Sequence, residues 1–188
     1  MSYDLYCYRS ASGVPNVAEG EALVEAINAA EEAGDTKPTF SDTKQRITSA
    51  LIEHNPQFER FKFDYSKIAE SLKISEDEAR LRYQHVELNS PEDDLATQIT
   101  VYDDHVCISI PYWYQSSKAD QVFSQLSEYI RVIRETAGFF AYDPQTGIAF
   151  DPQQTDLREH QHYEKVVRDL PKIAAEATKP DKPWWKFW

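Results

Sequence analysis

The sequence predicts an α+β protein: an antiparallel sheet in split β-α-β-β-α-β order, with a helical insertion and a C-terminal helical appendage. Three observations carry that expectation. Apolar residues recur with helical period over 17–34 and 117–138. They alternate with period two over 3–9 and 95–114, and again after Gly138. Between the first helix and the second strand lie about forty residues of helical pattern, with no strand signal to place them in the sheet.

Along the chain, Tyr3, Leu5 and Cys7 alternate with Asp4, Tyr6 and Tyr8, which reads as a first strand, and "SASGVPN" breaks it. Ala22, Leu23, Ala26, Ile27 and Ala30 form one stripe of a helix that stops at Gly34. A second helix is capped by Ser41 or Asp42 and ends before Pro56. Tyr65 to Tyr83, "YSKIAESLKISEDEARLRY", reads as two short helices broken at Lys73-Ile74, with Ser75 as the second cap. After "NSPEDD" the period changes to two. Leu95, Thr97, Ile99 and Val101 face one way, and the chain turns at Asp103-Asp104. Val106, Ile108 and Ile110 then alternate back. Val122, Phe123, Leu126, Tyr129, Ile130 and Ile133 mark the buried side of the strongest helix, ended by Gly138. "DPQTG" turns a second hairpin. Residues 155–177 read as one or two helices interrupted near Pro171. The expected organisation is one domain over 1–175, with the helical insertion at about 40–88, and a Pro/Lys/Trp-rich tail at 176–188.

Charge is uneven. The chain carries a formal net charge of −12, yet residues 155–188 hold six acids against seven bases. An acidic body repels phosphate backbones and favours basic partners. No stretch reaches the roughly 18 apolar residues of a membrane span, and "MSYDLYCYRS" lacks the pattern of a secretory signal. A cytoplasmic protein with Cys7 and Cys107 reduced is expected.

Of the motifs, the helical pair at 65–83 has the outline of a helix-turn-helix DNA reader. Its second helix, however, opens on Glu76-Asp77-Glu78 where a reader would face phosphates, so no nucleic acid partner is expected. Asp103, Asp104 and His105, with His160 or His162, could serve a small metal-dependent hydrolase, and Asp156, His160 and Glu164 share a helix face. The histidine spacings match no zinc motif, so no metal and no cofactor is assigned. Cys107 and His105 share a strand face, but the neighbouring acids oppose a thiolate. Aromatic side chains cluster at Tyr112, Trp113 and Tyr114, and again at Trp184, Trp185, Phe187 and Trp188, a composition suited to interfaces or to docking of the tail.

The opening "YDLYCYRS", the strand end "IPYW", the long helix and "GFFAYDPQTG" resemble small bacterial cytosolic α+β proteins found among toxin-immunity proteins, over roughly 1–35 and 95–152. That resemblance implies a non-enzymatic inhibitor occluding a basic toxin or effector. On this reading the contacts come from Tyr112, Trp113 and Tyr114 together with Asp103, Asp104, Glu92, Asp93 and Asp94. A second copy of the chain is the alternative partner.

Overall fold

A computed structural model describes residues 2–33, 42–91, 95–111 and 116–154. In chain order these form β1 (Ser2–Tyr8), α1 (Val17–Ala33), α2 (Asp42–His54), β2 (Glu59–Arg60), α3 (Tyr65–Leu72) and α4 (Glu76–Arg82). They continue with β3 (Val86–Asn89), β4 (Gln98–Val101), β5 (His105–Pro111), α5 (Ser116–Ala137), β6 (Phe140–Asp143) and β7 (Ile148–Phe150). The class is α+β, as the sequence predicts. The seven strands make one antiparallel sheet in the order β2-β3-β4-β5-β1-β6-β7. Among the described residues no helix is long and apolar enough to cross a membrane. The expected C-terminal helices and the tail lie outside the described residues.

Side-chain alternation sorts the sheet into two faces. On one, Tyr3, Leu5 and Cys7 of β1 join Val86 and Leu88, Ile99 and Val101, Val106, Ile108 and Ile110 in the main core. Onto this face α5 lays the stripe expected from its sequence, Val122 to Ile133, with Ile47 and Leu51 of α2 beside it. Each aliphatic side chain taken fully from water contributes about 1.5–3 kcal/mol. The opposite face is smaller. There Tyr8, Phe140 and Tyr142 pack beneath Leu23 and Val24 of α1.

Two expectations change here. The first concerns α1: a split β-α-β-β-α-β sheet carries both of its helices on one face, yet α2 lies beside the long helix and α1 crosses to the other side. Its stripe of alanines, leucine and isoleucine is at most half-buried, while Gly20 is fully covered. A Cβ built on Gly20 would lie 2.4 Å from Cγ of Tyr142, so the helix seats its bare backbone on that ring. The second concerns the insertion at 40–88, which is not all helical. Val86 and Leu88 alternate inward and pair with Val101 and Ile99, adding β3 and, beyond it, β2.

Local chemistry explains the boundaries. Ser75 caps α4 as expected, its hydroxyl accepting from the Glu78 N–H at 3.1 Å, and Lys73 closes α3 in the left-handed region at φ 56°. The β6–β7 turn is held by Asp143, whose carboxylate accepts from the N–H of Gln145 at 2.9 Å and from the Tyr3 hydroxyl at 2.6 Å. Arg134 ties the end of α5 to β7. Its guanidinium donates to both carboxylate oxygens of Asp151, at 2.9 and 3.0 Å, and to the Gly138 carbonyl at 2.7 Å. It also lies 4.1 Å over the Phe140 ring.

Two measurements check this packing. Gly20→Ala should destabilise the fold by about 1–3 kcal/mol through overpacking against Tyr142, against a helix-propensity gain of about 1 kcal/mol; a rise in the denaturation midpoint would contradict the contact. The hydrogen bonds from Arg134 hold the Asp151 carboxyl below its usual range. The stabilisation from this pair is therefore complete above the ordinary carboxylate range and is lost as pH falls through it. Between neutral pH and about pH 3, Asp151→Asn should lose less stability than the native chain, as followed by thermal unfolding.

Candidate functional site

The sheet registers bring together a row of rings that are far apart in sequence. Just beyond β2 the Phe61 N–H donates to the Glu87 carbonyl at 2.9 Å, prolonging the edge ladder by one residue. Phe61 meets Phe63 edge-on at 5.1 Å. Phe63 in turn contacts Tyr65 at the start of α3, Tyr83 at the end of α4 and His85 before β3, at 6.1, 5.6 and 4.9 Å. His85 reaches Tyr102, in the β4–β5 turn, at 5.1 Å, and Tyr102 stacks on His105 at 4.2 Å with planes 15° apart. Rings offset or edge-on at these distances attract beyond their buried area, so the row is fixed before any ligand arrives.

A cavity of about 290 Å³ opens beside the outer rings, walled by residues 60–63, Tyr65 and residues 83–85. Arg60 and Lys62 stand in this wall, and both are exposed. The Arg80 guanidinium lies 4.5 Å over the Tyr65 ring.

Two carboxylates hold the histidines. Glu87 contacts His85 Nε2 at 3.1 Å and accepts from the Gln98 amide at 3.2 Å. Asp104 Oδ1 lies 2.8 Å from His105 Nδ1, and that hydrogen bond, chiefly, holds the Asp104 carboxyl below its usual range. An ionised Asp104 accepts, so Nδ1 carries a proton; Nε2 of His105 is buried with no hydrogen-bond partner among the described residues. The pair orients an imidazole as an acid–base dyad would. No third ligand joins it: among the described residues no group of three or more His, Cys, Asp or Glu is placed to hold a metal.

Of the residues singled out in the sequence, Asp103 turns inward. Its carboxylate accepts from Lys44 Nζ of α2 at 2.9 Å, and the side chains are only 7% and 11% exposed. Asp104 stays exposed. Glu92, Asp93, Asp94, Tyr112, Trp113, Tyr114, His160, His162 and the tail aromatics Trp184, Trp185, Phe187 and Trp188 lie outside the described residues. The helical pair at 65–83 keeps its acidic first turn. Arg80 and Arg82 are tied back to Glu76 and Glu78 within α4, so that helix offers no free positive stripe. The ring row escaped the sequence reading altogether. The signal for it was "RFKF" at 60–63, an extended stretch alternating bases with aromatics.

Compared with family models, with curated proteins and with solved structures, the chain finds no match in any of the three.

The Lys44–Asp103 pair is buried, so breaking it from one side strands a charge. Asp103→Ala or Lys44→Ala alone should cost about 3–5 kcal/mol, whereas Lys44→Met with Asp103→Leu should recover most of the loss. Chemical denaturation of the three variants checks this; single variants as stable as the native chain would show the pair to be solvated.

Proposed function

We propose that the protein is a non-enzymatic, cytoplasmic binding protein of immunity type, occluding a basic toxin or effector. The observation that carries this reading is the surface of the α3–α4 unit. Among the described residues, five large apolar side chains are exposed, and three of them, Phe61, Leu72 and Leu81 at 49%, 45% and 50%, fall in or just before these two helices. Leu72 and Leu81 are about half exposed on helices of eight and seven residues, whose buried residues are Ala69 and Ala79. The same helices display Glu70, Glu76 and Asp77 beside Lys67, Lys73 and Arg80, the last paired with Glu76. An apolar centre in a rim of mixed charge, on a chain of net charge −12, fits a cationic protein surface: the field of the whole chain speeds the encounter and apolar burial holds the complex.

On this proposal the contacts come from α3 and α4, while the Asp103 carboxylate is engaged by Lys44.

The test begins with affinity capture at low salt from the source cell, where the retained protein should be basic. Leu72→Asp with Leu81→Asp should then weaken that complex by at least ~tenfold, or about 1.4 kcal/mol, while the denaturation midpoint stays close to native. Glu76→Lys with Asp77→Lys should slow association and flatten its salt dependence. An affinity unmoved by both double variants removes this surface from the interface.

A further inference from the structure

We propose that the cavity at the β2 edge is a binding site for a single nucleotide, a planar ring carrying one phosphate. Its size sets the class. At about 290 Å³ it stands at the low end of ligand pockets, with room for one ring system and one anionic group rather than a dinucleotide.

The walls supply both halves of the recognition. Phe61 is half exposed and edge-packed on Phe63, which is itself braced by Tyr65, Tyr83 and His85. A base can therefore stack on an exposed ring that is already held in place. Gln84, in the same wall, carries an amide that donates and accepts, which suits the polar edge of a base. Arg60 and Lys62, on either side of Phe61 in the chain, both line the cavity and are exposed. Neither makes an ion pair with a described residue, and a phosphate is the group a guanidinium and an ammonium hold together. The nearby acids do not cancel them. Asp64 is occupied by Ser66 and Lys67, and Glu87 by His85 and Gln98. This site shares Phe61 with the proposed partner surface but not Leu72 and Leu81, which do not line the cavity.

The experiment is calorimetric titration of the full chain with AMP, adenosine and inorganic phosphate. AMP should bind at least ~tenfold more tightly than either adenosine or phosphate. Arg60→Ala with Lys62→Ala should bring AMP down to the affinity of adenosine and leave adenosine unchanged, while Phe61→Ala should weaken both. Arg60 and Lys62 are exposed, so their variant should unfold at the native midpoint, while Phe61→Ala should lose the ring contact with Phe63 and is titrated where it remains fully folded. Several outcomes overturn the assignment: no heat from AMP up to ~10 mM, phosphate binding as tightly as AMP, or an Arg60/Lys62 variant that binds AMP like the native chain. A short oligoadenylate held more tightly than AMP overturns the choice of a free nucleotide.

Discussion

The arrangement depends on one strand being paired on both sides. β1 runs against β5 from Ser2–Pro111 to Tyr8–His105 and against β6 from Tyr6–Tyr142 to Tyr8–Phe140. With both edges hydrogen-bonded, its register fixes which residues look to each face. A slip of one residue would bury Asp4 and Tyr6 and expel Leu5 and Cys7. Everything layered on the sheet inherits that choice: α2 and α5 over the aliphatic face, α1 over the aromatic one. The bond from the Tyr3 hydroxyl to Asp143 locks the far end of β1 to the β6–β7 turn. Burial also settles the chemistry of Cys7, whose thiol pKa is pushed far up, so that it behaves as a small apolar side chain.

The ring row follows from the same ladder, carried outward. β5 aligns β4, β4 aligns β3, and β3 aligns β2. Each step sets one more ring beside the last, from His105 through Tyr102 and His85 to Phe63 and Phe61. Here the acidic composition acts locally as well as globally. Glu87 and Asp104 are spent orienting imidazoles, Glu76 and Glu78 are spent on arginines of their own helix, and the cations at 60 and 62 make no ion pair with a described residue. A strongly negative chain can thus hold a small positive opening at its edge.

How much of this was legible in the sequence follows from the size of each signal. The stripe of α5 spans 12 residues from Val122 to Ile133 and repeats often enough to stand out from chance. The β4–β5 hairpin shows nearly pure alternation about two aspartates, and the β6–β7 turn carries Asp, Pro and Gly at once; both were readable. β3 was not, because four residues directly after two helices offer a single inward pair, Val86 and Leu88. β2, with two exposed residues, has no pattern to show. The face taken by α1 was hidden for another reason: its closest contact is made by Gly20, which has no side chain to declare an orientation. The candidate site was the least legible part. Phe61 and Tyr102 are 41 positions apart, and only the β2–β3–β4 pairing, itself unseen in the sequence, connects them.

That same pairing sets this end of the molecule apart from the rest of the sheet. The central strands are clamped by α2 and α5, whose fully buried Ile47, Leu51, Leu126, Ile130 and Ile133 supply the apolar area. Toward β2 the supply thins: α3 and α4 each bury a single alanine, and their exposed leucines face water. The unit is held instead by helix caps, by ring contacts and by ion pairs within one helix, interactions of about 0.3–1.5 kcal/mol apiece. A region stabilised in small increments opens at lower free energy than the core it is attached to. It can therefore give up its contacts with water to a partner or a ligand without disturbing the register of β1, which is set elsewhere. The division between a well-buried two-faced sheet and a lightly held edge separates the stability of the fold from that of its edge.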